Sequence, residues 1–158
     1  MKDGVDGGLC AAHQPEGSVP THGLRTIHVV AGALLDGRGQ VLIAQRPPGK
    51  HMAGGWEFPG GKLDAAELPL DGLRRELLEE LGIDVQGAEW LASCEHDYED
   101  RRVLLELWMV SAFNGEPESL DGQALRWVTL DELPGAGMLP ADAPLVAALL
   151  DKFSTKTA

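Results

Sequence analysis

The chain has 158 residues, 44% of them hydrophobic and 24% charged, which suits one globular domain with its own core. A formal net charge of −12 and a pI near 4.7 argue against nonspecific binding to a nucleic-acid polymer or an anionic membrane surface. A phosphorylated small molecule stays within reach, because a bound cation inverts the local field.

Residues 1–23 are rich in Gly and Pro, with no apolar stretch of signal-peptide length; they read as a mostly disordered tail before one domain over 24–155. No run approaches a membrane span. Cys10 and Cys94 make neither a metal pattern nor a disulfide framework, so both read as unpaired thiols of a reducing compartment, the cytoplasm. Segments 26–35 and 40–46 read as strands joined by a D-G turn. The Pro- and Gly-rich stretch that follows is a loop, with Trp56 and Phe58 as anchors. A helix is predicted from Pro69 to Leu81, ended by Gly82. A strand lies near EWLASCEHDY (89–98), and 102–113, apolar on both faces, reads as a central strand. Segment 124–130 is a last strand. Thr129 and Glu132 then have capping-box spacing, and Asp142 is placed to cap a final helix over 141–153. Strands on both sides of a central helix, with a second helix at the end, predict a mixed α/β fold.

The first helix carries Glu76, Glu79 and Glu80 on neighbouring turns. Like charges at these spacings cost roughly 0.2–0.5 kcal/mol per pair, so something outside the helix should want them. Their carboxylates suit a hard divalent cation, which bridges phosphate oxygens and activates water. The Gly60-Gly61 turn lets backbone approach closely and offers a carbonyl, while Arg75 is suited to holding a glutamate in position.

From Gly61 the sequence runs G-x5-E-x7-R-E-L-x-E-E-x-G-I, through Glu67, Arg75 and Gly82. This matches the Nudix box, and the flanks over 44–62 and 121–149 resemble those of MutT-type Nudix hydrolases. The resemblance implies a mixed β-sheet between helices (α/β/α) and hydrolysis of a nucleoside triphosphate, notably 8-oxo-dGTP, to monophosphate and pyrophosphate. It implies magnesium, with manganese as a substitute, held by Glu76, Glu79, Glu80 and the Gly61 carbonyl, and a metal-activated water attacking the β-phosphorus. Leu68 stands where a capping Ser or Thr is usual, and Gly72 where Ala is common, each costing the helix about 1 kcal/mol.

By the same resemblance Arg46 contacts substrate phosphate or simply solvates a strand end, and Lys62 touches phosphate or faces water. Asp121 occupies the place of a glutamate near the metals; it is a ligand, a base, or the Asx residue of a D-G turn. The general base is equally Glu79 or Glu80. Asp142 stands where an asparagine reads the oxidised purine, and an ionised carboxylate only accepts hydrogen bonds. Tyr98 is a candidate to stack on a base. His96, Asp97, Glu99 and Asp100 read as a solvated loop, the four tryptophans as core, and His28 as an interior histidine. Two other functions compete: a Nudix hydrolase of an ordinary nucleotide, a dinucleoside polyphosphate or ADP-ribose, and a non-catalytic nucleotide sensor.

Overall fold

The computed structural model describes residues 9–11 and 25–156, so the expected tail lies outside the described residues apart from Leu9–Ala11. At its centre is β2 (Arg25–Leu34), whose alternating side chains feed two cores. Ala31 and Ala33 enter one, Val30 and Leu34 the other. β2 runs antiparallel to β5 (Gly60–Lys62) and parallel to β7 (Arg101–Asn114). β6 (Asp84–Asp97) pairs with the far side of β7, and β1 (Leu9–Ala11) with β6, setting Cys10 opposite the buried Cys94. The resulting mixed sheet has the order β1-β6-β7-β2-β5. A second sheet holds β4 (Trp56–Glu57), β3 (Gln40–Gln45) and β8 (Leu125–Thr129) in the order β4-β3-β8.

Helix α1 (Pro69–Leu81) covers one face of the larger sheet. Its Leu73, Leu77 and Leu81 recur every fourth residue, are fully buried, and pack with Val30, Leu34 and Val110. Helix α2 (Ala143–Lys156) covers the other face through Leu145, Val146 and Leu149. Each such leucine contributes roughly 1.5–3 kcal/mol by leaving water. The arrangement is the expected α/β/α. No helix among the described residues is long and apolar enough to cross a membrane.

The ends of α1 follow the sequence closely. Leu68 before it is extended and makes no side-chain cap, and Pro69 opens the first turn. Gly82 adopts φ 72°, a left-handed conformation that glycine reaches without steric cost, and its N–H bonds the Leu78 carbonyl. Gly72 has a purpose that helix propensity hides. A Cβ there would meet the end of the Leu63 side chain and crowd the Glu67 carboxylate, so the glycine leaves room for both side chains where the incoming loop lies against the helix.

Three local expectations need correction. Gly60 and Gly61 form a strand rather than a turn, and a Cβ on Gly60 would collide with the Val30 carbonyl, so close approach requires that glycine. β6 starts earlier than 89, because register shifts at Val85/Gly87, Gly87/Ala88 and Trp90/Ala92 spoil the alternation that marks a strand. Asp142 closes a short 3-10 turn (Pro140–Asp142) and gives its carboxylate to the distant Phe58 N–H instead of to the N-terminus of α2. The Thr129–Glu132 capping box does form, with reciprocal bonds of 2.9 and 3.3 Å.

Candidate active site

The site is built outward from Arg75. Its guanidinium takes Glu67 in a two-pronged grip, with Nε to Oε2 and Nη2 to Oε1 both 2.8 Å. Nη1 reaches Glu76 Oε2 at 3.0 Å and Glu79 Oε1 at 3.4 Å, and Nη2 donates to the Lys62 carbonyl at 3.1 Å. Glu67 also accepts from the Asp64 N–H at 2.8 Å. These bonds, chiefly that from Arg75, hold the Glu67 carboxyl down at about 2. One arginine therefore ties the loop before α1, the end of β5 and two glutamates of the helix into a single unit.

Beyond Arg75 the carboxylates crowd. Glu76 lies against the α-carbon of Gly61, where a Cβ would overlap its carboxyl group. Glu80 hydrogen-bonds Glu76, and burial together with that neighbour, and then Asp121 and Glu57, raises its carboxyl to about 9. Two acids in hydrogen-bond contact cannot both ionise without a cation between them. This is the chemistry of a divalent-ion site, so the residues fit the metal that the box implies. Glu79 is turned toward Arg75 and its side chain is 60% exposed. Among the described residues no three carboxylates are drawn into a ready-made cage, and the convergence expected of Glu76, Glu79 and Glu80 is seen between Glu76 and Glu80 alone.

From Gly61 and Glu80 a cleft of about 820 Å³ opens across β2 and the second sheet. Lys62, Asp121, Arg46, Tyr98 and Asp142 all line it. Arg46 is fixed by Glu57 Oε1 at 3.1 Å and by the His51 carbonyl at 3.0 Å. Asp142 is 5% exposed and accepts from Phe58 N–H at 3.1 Å. Burial raises its carboxyl to about 7, the Phe58 bond opposing, and it raises neighbouring Glu57 as well, with Arg46 opposing. Tyr98 packs edge-on to His96 at 4.7 Å, with the Arg101 guanidinium 5.1 Å from its ring centre.

A cleft that joins the crowded Glu80, the anchored Arg46 and the buried Asp142 suits a phosphorylated ligand that carries a polar base. The NUDIX domain model matches residues 30–148. The chain belongs to the Nudix hydrolases. It is 39% identical over 127 residues to the CTP pyrophosphohydrolase of Escherichia coli K12, covering 80% of this chain and 93% of that one. It is 32% identical over 126 residues to the 8-oxo-dGTP diphosphatase of the same organism, covering 80% and 98%. Among solved structures, that of the E. coli ORF135 protein superposes with a TM-score of 0.78 at 36% identity, covering 89% of this chain and 99% of that one.

Of the sequence-derived site residues, Gly61, Lys62, Glu80, Arg46, Tyr98, Asp121 and Asp142 line this cleft, while Glu76 contacts Gly61 and Glu80, and Arg75 joins Glu76 to Glu79. Three cleft residues escaped the sequence reading. Glu57 sits in a two-residue strand, and its proximity to Asp142 depends on the β4 pairing. Arg101 lies directly opposite Arg25 across the parallel β2–β7 pair, a register that no local pattern announces. Gln123 is a buried neutral amide, and its only signal was its place after the D-G turn. His28 meets the buried Glu106 carboxylate at 2.5 Å outside the cleft lining, but its side chain is 30% exposed, so it is half-buried rather than the expected interior histidine.

Proposed function

We propose that this enzyme hydrolyses 8-oxo-dGTP to the monophosphate and pyrophosphate with magnesium, keeping the cytoplasmic nucleotide pool free of oxidised purine. The observation that supports the reading is one cleft lined both by Glu80, which meets Glu76, and by the buried Asp142, which accepts from the Phe58 N–H. Glu76, Glu80, Glu79 and the Gly61 carbonyl would hold the cation, with Asp121 beside them. When bound, that cation neutralises the bridging phosphates and lowers the pKa of a water. Arg75 keeps the glutamates in place. Arg46 and Lys62 receive phosphate charge, and Tyr98 forms an aromatic wall for the base. A panel of 8-oxo-dGTP, ordinary dNTPs and NTPs, a dinucleoside polyphosphate and ADP-ribose, scored by kcat/KM and by product, tests this. Preference for 8-oxo-dGTP with pyrophosphate released is expected; preference for a dinucleoside polyphosphate or ADP-ribose sinks it.

Asp142 favours a second reading. A carboxyl held near neutrality accepts from an N–H when ionised and also donates when protonated. Cytosine presents a ring nitrogen acceptor beside its amino group and matches the protonated form. The oxidised guanine edge is richer in N–H donors and matches the ionised form. With a CTP pyrophosphohydrolase among the relatives, CTP is the alternative substrate. The 8-oxo-dGTP to CTP ratio of kcat/KM should therefore rise with pH through about 7. A flat ratio between pH 6 and 8.5 counts against Asp142 as the base reader.

A further inference from the structure

The loop between β7 and β8 is fastened to the C-terminal end of α1, and Gln123 is its buried fastening point. An α-helix leaves its last carbonyls without partners, and these must be satisfied elsewhere. Here the Leu81 carbonyl accepts from Glu118 N–H and the Glu80 carbonyl from Leu120 N–H, both at 3.0 Å. Gln123, only 7% exposed, adds the side-chain link. Its Nε2 donates to the same Glu80 carbonyl at 3.4 Å. Its Oε1 accepts the Asp121 N–H at 3.0 Å and the Ser119 hydroxyl at 2.9 Å. One amide thus binds the backbone of Glu80 with one end and the backbone of Asp121 with the other. A D-G turn with Gly122 at φ 79° bends the chain between Asp121 and Gln123, and the Ser119 hydroxyl closes it further onto the Gln123 backbone carbonyl.

We propose that Gln123 is a positioning residue, holding Asp121 in register with Glu80 so that the Asp121 carboxylate is presented to the divalent-ion site. The inference rests on the reading above that Asp121 stands beside that site. Gln123 touches neither cation nor nucleotide in this scheme; it acts through the geometry of its neighbour. Its effect must therefore vanish when the Asp121 carboxylate is removed. A merely structural amide would continue to matter.

The test is a double-substitution cycle on the full chain, reading Mn2+ affinity by electron spin resonance without nucleotide, and hydrogen exchange of the Asp121 amide. Gln123→Leu should weaken Mn2+ binding about tenfold, as removal of supporting hydrogen bonds around metal ligands does, and should speed Asp121 exchange. Ser119→Ala, a milder loosening of the same amide, should move both in the same direction by less. It carries the comparison if Gln123→Leu does not fold. Gln123→Leu combined with Asp121→Asn should bind Mn2+ no more weakly than Asp121→Asn alone. Wild-type affinity in Gln123→Leu, or effects that simply add in the double variant, would overturn the proposal while leaving Asp121 at the site. Wild-type affinity in Asp121→Asn would overturn both.

Discussion

The two ends of the cleft are made in different ways. The phosphate end draws Glu67, Arg75, Glu76 and Glu80 from α1 and the loop entering it, with spacing fixed by helix geometry and one arginine. The part proposed to read the base sets Asp142 against the Phe58 N–H, 84 positions away in the chain, with Glu57 beside it. A local motif can hold a reaction steady while distant contacts are free to vary. The proposed function accordingly assigns the reaction type to the helix and base choice to the surroundings of Asp142.

Substitutions at the phosphate end should break turnover for every nucleotide alike. Glu80→Gln should fold and yet lose about a thousandfold in kcat, corresponding to about 4 kcal/mol of charge stabilisation. Activity within tenfold of wild type would remove Glu80 from the metal site. In chelator-treated wild type the raised Glu80 carboxyl means that the folded state holds an extra proton between about 4.5 and 9. Stability should accordingly fall as pH rises through that window, and added Mg2+ should raise Tm more at pH 9 than at pH 6. Equal Tm shifts at both values would contradict the crowded pair.

Arg75→Met should reduce kcat/KM by about 10–100-fold for all substrates without changing their ranking. The same clamp has an acid signature. Because Glu67 is depressed from 4.5 to about 2, its stabilising contribution is complete above 4.5 and is lost as pH falls toward 2. Tm measured from pH 5 to pH 2 should show this slope in wild type and a weaker one in Arg75→Met. Smallest in effect is Gly72→Ala. Helix propensity favours it, but the clash with Leu63 and Glu67 should make it destabilising by about 1–3 kcal/mol in urea unfolding. A stabilised variant would show that the loop yields.

What was legible in the sequence follows the same division. Helix α1 was read residue for residue, because periodic leucines, Pro69 and Gly82 are local signals. Arg75 as a holder of glutamates was equally readable from spacing. Asp142 was read both as a cap and, by resemblance, as standing where a purine is read, but nothing nearby in the sequence reveals that the Phe58 N–H reaches it. Glu57 and Gln123 were not seen at all, because their meaning comes from sheet pairing and from a loop docked on a helix end. The Gly60-Gly61 pair was given the right purpose with the wrong shape: the close approach is real, and the segment is a strand.

The most direct test of this division is kcat/KM for 8-oxo-dGTP, dGTP and CTP in wild type and Asp142→Asn, with products identified. An asparagine retains an acceptor for Phe58 N–H while replacing the titrating carboxyl by a fixed donor and acceptor. The ratio of 8-oxo-dGTP to CTP should shift by about tenfold or more and lose its pH dependence, with pyrophosphate still released from every substrate. An unchanged ratio, or a proportional loss for all three nucleotides, would contradict the assignment of base choice to this end of the cleft.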